Sequence, residues 1–100
     1  MLKHIVCWRI KDLSGGVPKK EALLMMKQKL DELPERISEI IEFEVGININ
    51  PSEAAYDISL YSSFKDEEAL EAYQQHPAHQ EVGKFIKEIA SQRAVVDYLV

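Results

Sequence analysis

The sequence predicts an α+β fold, a ferredoxin-like four-stranded antiparallel sheet with its helices on one face. Three observations support this prediction. Four segments alternate apolar and polar residues with the two-residue period of a strand. Two further stretches repeat apolar residues at helical spacing, one after the first strand and one before the last. The resulting order is strand, helix, strand, strand, helix pair, strand, which is the order of a split β-α-β motif.

Composition and charge indicate a single folded domain over residues 1–100. Hydrophobic residues make up 46% of the chain and charged residues 29%, which is typical of a globular protein. The net charge of −5 argues against a nucleic-acid partner, because phosphate binding depends on clustered Lys and Arg. No segment approaches the roughly 20 apolar residues of a membrane helix, and the N-terminus does not have the pattern of a signal peptide. We therefore expect a cytoplasmic protein with no membrane partner.

The first strand is predicted over residues 2–10, where apolar and polar residues alternate. Cys7 lies on its mixed face and is the only cysteine, which excludes an intramolecular disulfide and is compatible with a reducing compartment. Residues 12–16 follow as a turn. The strongly apolar face of the strand comprises Leu2, His4, Val6, Trp8 and Ile10.

A helix is predicted from Pro18, because proline suits the first helical turn, to just before Pro34, because proline cannot continue a helix. Residues 36–39 show no clear pattern and are predicted only as a connector. The buried stripe of the helix is predicted to be Leu23, Met26, Leu30 and Leu33.

Two strands are predicted over residues 41–50 and 56–64, separated by a turn at residues 51–55. The first of them has the clearest two-residue period in the chain. Asp66 is then a good N-cap for a helix, and the acidic residues after it suit the positive end of a helix dipole.

A pair of helices surrounds a corner that holds two of the three histidines, His76 and His79. Pro77 cannot continue a preceding helix but can begin a new one, so one helix is predicted to end near Gln75 and another to run to about Ser91. A last strand is predicted over residues 93–100. The buried stripe of the second helix is predicted to be His79, Val82, Ile86 and Ile89.

Helices on one face would leave the other face of the sheet, here called the open face, without a cover. This face is predicted to be too apolar for water and too polar for a dry core. A second copy of the chain could cover it, so we expect a homodimer. The residues predicted for the open face are Ile5, Cys7, Arg9, Glu42, Glu44, Ser59, Tyr61, Ser63, Val95 and Leu99.

Several short motifs occur in a particular order along these elements. They are His4-Ile5-Val6, Tyr56-Asp57, Phe64 before Glu68-Ala69-Leu70, Tyr73-x-x-His76-Pro77-x-His79 and Val96-Asp97-Tyr98. Over nearly the whole chain this arrangement resembles the stress-responsive A/B barrel (Dabb) family. The resemblance implies a dimeric α+β barrel built from ferredoxin-like monomers.

The resemblance also implies candidate site residues. One plant member of the family is a polyketide cyclase that performs an aldol condensation without metal or cofactor. Its chemistry depends on a tyrosine and a histidine matched here by Tyr73 and His79, and on a first-strand histidine matched by His4. That enzyme has a tyrosine where this chain has Met26, so the substrate pocket is expected to differ.

Acid–base chemistry needs a base near neutral pKa and a hydrogen-bond donor for a developing oxyanion, roles that histidine and tyrosine can fill. We therefore expect His79, Tyr73 and His4 to be the catalytic residues. Asp97 could orient an imidazole, but its parity on the last strand is predicted to point it away. The residues predicted to bind a small carbonyl-bearing or aromatic ligand are Val6, Trp8, Met26, His76 and Val82.

Two other functions stay open at this point. The chain could be a non-enzymatic, stress-protective barrel in which the histidines only form core hydrogen bonds, or a cofactor-independent monooxygenase-like enzyme of the kind found among related dimeric barrels. No cofactor is expected. A metal site at His76 and His79 is not expected either, since no third acidic or cysteine ligand is in sight.

Overall fold

The computed structural model describes residues 1–100 and contains a four-stranded sheet, a two-stranded ribbon and four helices. In chain order the elements are β1 (Leu2–Ile10), β2 (Leu13–Ser14), β3 (Val17–Pro18), α1 (Lys19–Asp31), α2 (Leu33–Arg36), β4 (Glu42–Ile47), β5 (Ile58–Phe64), α3 (Glu67–Gln75), α4 (Pro77–Ile89) and β6 (Ala90–Leu99).

The large sheet has the strand order β4-β5-β1-β6, and every neighbouring pair is antiparallel. β1 lies near its centre, and its alternate residues from Leu2 to Ile10 are buried while those between them are only partly buried. The buried face packs with the helices around one hydrophobic core. The predicted ferredoxin-like α+β fold, with its helices on one face of the sheet, is confirmed.

The first helix begins directly after Pro18, close to the prediction, but its buried stripe and its C-terminal end differ. Its buried residues are Ala22, Met26 and Leu30, whereas Leu23 is only partly buried. Alanine adds little to a hydrophobic pattern, so the true four-residue spacing of this stripe was hard to see. The helix ends at Asp31, and Pro34 lies in the first turn of α2, where its missing N–H costs nothing.

The predicted turn after β1 contains a short hairpin formed by β2 and β3, with Leu13 opposite Pro18 and Ser14 opposite Val17. Gly15 and Gly16 connect the two strands with φ values of 55° and 83°. Two consecutive positive φ angles suit a tight hairpin and favour glycine at both positions.

The two middle strands are shorter than predicted. β4 ends at Ile47, and Ile49 is 98% exposed although it continues the alternating pattern. Asn48 Oδ1 accepts a hydrogen bond from the Asn50 backbone N–H at 2.9 Å. Local hydrogen bonds of this kind compete with a strand ladder, so the chain turns before the apolar pattern ends.

The last strand begins earlier than predicted, directly after α4, and pairs with β1. In this register Val95 lies opposite Val6 and Leu99 lies opposite Leu2, so both belong to the helix-facing side. Their predicted position on the open face is therefore wrong. The β6 residues paired with the open-face residues of β1 are Ala94, Val96 and Tyr98.

A hydrogen-bonded cluster occupies one end of the open face. Glu42 Oε1 accepts from Tyr61 Oη at 3.0 Å and from Ser63 Oγ at 2.8 Å. It also accepts from Lys3 Nζ at 2.9 Å. These hydrogen bonds, that of Lys3 first, lower the pKa of the Glu42 carboxyl to about 2. The carboxylate is therefore charged and paired at neutral pH.

The N-cap of α3 provides a test of the local structure. The Asp66 side chain accepts a hydrogen bond from the Ala69 backbone N–H at 2.9 Å. Asp66→Ala should lower the free energy of unfolding by about 1 kcal/mol, because that N–H loses its partner. Asp66→Asn should retain most of the stability, since asparagine caps as well as aspartate. Urea denaturation of the three proteins measures this, and equal losses in both variants would contradict the cap.

Candidate functional site

A cavity of about 270 Å³ lies between the sheet and the helices. The central strand contributes His4, Val6 and Trp8, and α3 contributes Tyr73. Most of the lining is apolar, with a few polar side chains, as is usual for small-molecule sites. The remaining lining residues are Leu30, Leu33, Leu60, His79, Val82, Gly83, Ile86, Lys87 and Arg93.

The corner between α3 and α4 brings two of these side chains together. α3 ends at Gln75, His76 is extended, and α4 begins at Pro77, as predicted. Across this corner the rings of Tyr73 and His79 meet edge to face, with their centroids 4.5 Å apart. The proline therefore determines the spacing of the two predicted catalytic groups.

His4 enters the same cavity from the sheet and is held by Asp97. The two residues are directly opposite in the pairing of β1 with β6. His4 Nδ1 hydrogen-bonds Asp97 Oδ1, and only 2% of His4 is exposed. The prediction that Asp97 points away was wrong, because the register with β1, not the apolar pattern of β6, decides its face. The carboxylate on Nδ1 fixes the orientation of the imidazole ring, and Nε2 is the ring nitrogen that is not bonded to Asp97.

Tyr73 lies between the two histidines. Its ring centroid is 6.3 Å from that of His4 and 4.5 Å from that of His79. A third ring, that of Phe64, packs against it at 4.9 Å. The tyrosine is almost completely buried, so these rings fix its position.

Burial sets the protonation states of this cluster. It raises the pKa of the Tyr73 hydroxyl above its ordinary value of 10.0, against a smaller lowering by the positive charge of Arg93. It also lowers the pKa of His79 below 6.5, with the charges of His4 and Arg93 acting in the same direction. At neutral pH the tyrosine is thus a proton donor and His79 a neutral imidazole that can accept a proton.

The other predicted ligand-binding residues divide into two groups. Val6, Trp8 and Val82 line the cavity. His76 does not, because its Nδ1 accepts from the Ala78 backbone N–H at 3.0 Å and caps α4. Met26 is completely buried in the core and also lies outside the cavity wall, because the stripe of α1 points it into the core.

Two charged lining residues, Lys87 and Arg93, were missed in the sequence. Lys87 lies in the last turn of α4, where a lysine reads as an ordinary solvated residue. Arg93 lies opposite Trp8 in the sheet. The signal that could have found it is the even spacing from Arg93 to Asp97, which places the two side chains on the same face of β6.

Two further features bear on the class of protein. No three His, Cys, Asp or Glu side chains are grouped so that they could hold a metal ion. None of the helices has the length and apolar character needed to cross a membrane.

The sheet, the helix layer and the cavity between them define a ferredoxin-like α+β protein. More specifically, the chain belongs to the stress responsive A/B barrel domain family, whose sequence model matches residues 2–100. The resemblance in the sequence motifs is thereby confirmed.

Individual relatives agree with this assignment. A Bacteroides fragilis protein, described as a dimer of unknown function with a ferredoxin-like fold, is 39% identical, with a TM-score of 0.84 over 99% of this chain and 95% of its own. An uncharacterised protein of Streptomyces coelicolor is 32% identical over 81 residues, 80% of each chain. A hydroxynitrile lyase from Passiflora edulis is 18% identical, with a TM-score of 0.82 over 99% of this chain and 92% of the lyase, and this likeness shows the fold alone.

The lowered pKa of His79 predicts a pH dependence of stability. The unfolded chain takes up a proton on this histidine near pH 6.5, whereas the folded protein takes it up only at lower pH. Below about pH 6.5 the unfolded state therefore binds more protons than the folded state. The contribution of His79 to the free energy of unfolding is fully present above about pH 6.5 and is lost as the pH falls.

The slope of unfolding free energy against pH, measured from about pH 7 to about pH 5.5, should therefore be smaller in His79→Gln than in the wild type. The control is His76→Asn, which removes a histidine outside the cavity and keeps a capping side chain. Equal slopes in the wild type and in His79→Gln would contradict the neutral, buried state of His79.

Proposed function

We propose that this protein binds a small carbonyl-bearing or aromatic molecule in the cavity and transfers a proton on it without a cofactor. The observation that carries the proposal is the convergence of His4, Tyr73 and His79 on one mostly apolar cavity. The volume of about 270 Å³ lies just below the usual range for drug-sized ligands, so it suits a single ring or a short chain.

Each polar group has a role in this reaction. The neutral imidazole of His79 accepts a proton from the carbon next to a carbonyl group, and the electron pair moves onto the carbonyl oxygen. The Tyr73 hydroxyl donates a hydrogen bond to this oxyanion. The enolate carbon then attacks a second carbonyl carbon, and the imidazolium returns its proton to the new alkoxide. His4, held by Asp97, positions the substrate from the sheet side.

A purely structural role fits Tyr73 less well than the two histidines, since His4 is hydrogen-bonded to Asp97 and His79 to the Gln74 backbone. The Tyr73 hydroxyl takes part in none of the side-chain hydrogen bonds within the chain, although only 1% of the residue is exposed. A tyrosine kept only for the core would be expected to have a partner for its hydroxyl, because buried polar groups are nearly always paired. A hydroxyl that faces a cavity is instead available to a ligand.

The fold does not select among reactions. Structures with this fold include the hydroxynitrile lyase and a protein described as an antibiotic biosynthesis monooxygenase, which is 17% identical to this chain. Because one fold carries several chemistries, the side chains in the cavity decide the proposal. They favour proton transfer, since an acid and a base face each other there.

Ligand binding can be followed through Trp8, the only tryptophan, which lines the cavity. A phenol or a β-dicarbonyl compound should change its fluorescence on binding. Tyr73→Phe should weaken binding by about five- to tenfold, the effect of losing one hydrogen bond. Tyr56→Phe is the matched control, since Tyr56 lies outside the cavity and stacks on Arg9.

The same samples test proton transfer. The wild type should speed the exchange of the central protons of a slowly exchanging β-ketoester for deuterium, followed by NMR, and His79→Gln should abolish this effect. The structural alternative predicts a different result. If the histidines have only a structural role, no probe binds the wild type. In that case His79→Gln lowers the free energy of unfolding by about 1–3 kcal/mol, because a buried polar contact is lost.

We further propose that two chains form a homodimer through their open faces. The relative from Bacteroides fragilis, 39% identical over nearly the whole chain, is described as dimeric. On the open face of this chain, Val96 is 59% exposed and Tyr98 is 45% exposed, which is unfavourable in a monomer. The charged pair of Glu42 and Lys3 is already neutralised within the chain, so it does not oppose association.

Adjacent valines on β6 allow a matched test of the dimer. Val96→Glu places a charge on the open face and should shift the protein toward the monomer mass of 11.5 kDa in sedimentation equilibrium. Val95→Glu makes the same change on the helix-facing side, where 45% of the valine is exposed, and should leave the dimer intact. A wild type that stays monomeric at all concentrations would exclude the dimer.

A further inference from the structure

We propose that the ligand of the cavity carries a carboxylate, which Arg93 binds with Lys87 beside it. The inference rests on the proposed function of the cavity and adds the chemical class of the ligand. It separates acidic carbonyl or aromatic compounds from neutral ones of the same shape.

The charge around the cavity is opposite to that of the whole chain. The chain has a net charge of −5. The cavity lining nevertheless includes Lys87 and Arg93 and no aspartate or glutamate. Two cations at a mostly apolar site attract an anionic ligand and disfavour a cationic one.

Neither cation is neutralised by the protein. The ion pairs of the chain join Lys3, His4, Lys19 and Lys27 to carboxylates, and none involves Lys87 or Arg93. Asp97, which shares a strand face with Arg93, is bound to His4 instead. The guanidinium therefore keeps its donors for a ligand, and its planar fork matches a carboxylate.

The position of Arg93 also suits the chemistry. It lies opposite Trp8 in the sheet, so it reaches the cavity beside the aromatic wall. It lines the same cavity as Tyr73 and His79, and its positive charge lowers the pKa of both groups. An anion bound there would hold the next atoms of the ligand against the proton donor and the proton acceptor.

A carboxylate fits better than a phosphate. A phosphate ester presents three charged oxygens and usually takes more donors than one arginine and one lysine, often with a helix N-terminus. The end of α4 near the two cations is its C-terminal end, where Lys87 lies in the last turn. The backbone there offers carbonyl groups, which repel a doubly charged phosphate more strongly than a singly charged carboxylate.

Occupancy of the cavity can be tested at Gly83. A Cβ atom added to Gly83 would meet nothing within 4 Å, so this glycine leaves open space in the wall formed by α4. Gly83→Leu should fill that space and weaken the binding of charged and neutral probes alike. This variant tests occupancy of the cavity separately from recognition of charge.

The experiment compares three probes of nearly the same shape, 4-hydroxybenzoate, 4-hydroxybenzamide and phenyl phosphate, by Trp8 fluorescence and calorimetry. The wild type should bind the carboxylate at least about tenfold more tightly than the amide, and added salt should reduce the affinity for the carboxylate but not that for the uncharged amide. Arg93→Gln should remove the preference, because it lowers the affinity for the carboxylate far more than that for the uncharged amide. Arg93→Lys should retain part of it.

Lys87→Gln should reduce carboxylate affinity about threefold, a rim effect. The control is Lys84→Gln, which removes an exposed lysine of the same helix that does not line the cavity, and it should change nothing. Equal affinities for acid and amide, or a preference that survives Arg93→Gln, would overturn the carboxylate while leaving the proposed function intact. If phenyl phosphate binds more tightly than 4-hydroxybenzoate, the proposal of a carboxylate ligand is wrong and the cavity is a phosphate site. If none of the probes binds the wild type, or if all of them bind Gly83→Leu as tightly as the wild type, the proposed function fails together with this inference.

Discussion

The antiparallel pairing of β6 with β1 determines which charged side chains reach the cavity. In the observed register Asp97 is opposite His4 and Arg93 is opposite Trp8. Because strand side chains alternate between faces, a shift by one residue would move both charges to the open face. The orientation of His4, the charge near His79 and the exposure of Val96 and Tyr98 on the open face all depend on this one alignment.

The second constraint is the corner at Pro77, which depends on local sequence and not on long-range pairing. The register of the sheet is a long-range feature, whereas the corner is coded locally by a residue that ends one helix and begins the next. His76 caps the new helix, and the turn then leaves Tyr73 and His79 facing each other. The site is thus built where a local signal and a long-range pairing meet.

This difference explains what could be predicted from the sequence. β1 has one apolar face, so its inward side and the positions of His4 and Trp8 were evident. The corner was equally evident from proline chemistry. In β6, however, Val95 and Val96 are both apolar, so the pattern alone cannot say which one faces the helices. Asp97 and Arg93 were misplaced or missed for this reason.

Two other differences have local causes. The polar side chain of Asn48 ends β4 before its apolar pattern ends, since it bonds the backbone two residues later. Ala22 belongs to the buried stripe of α1, but the small hydrophobicity of alanine hides it in the sequence pattern. The pattern showed that Met26 faces inward, but it could not show that Met26 packs in the core outside the cavity wall.

The direct passage from α4 to β6 has a consequence for regulation. Ile89 ends the helix and Ala90 begins the strand, so no loop separates the cavity wall from the edge of the sheet. Because no flexible loop joins the two elements, a displacement of α4 by a bound molecule would also move the start of β6. In a dimer formed through the open face, occupancy and assembly would be thermodynamically linked. Each would change the free energy of the other by the same amount.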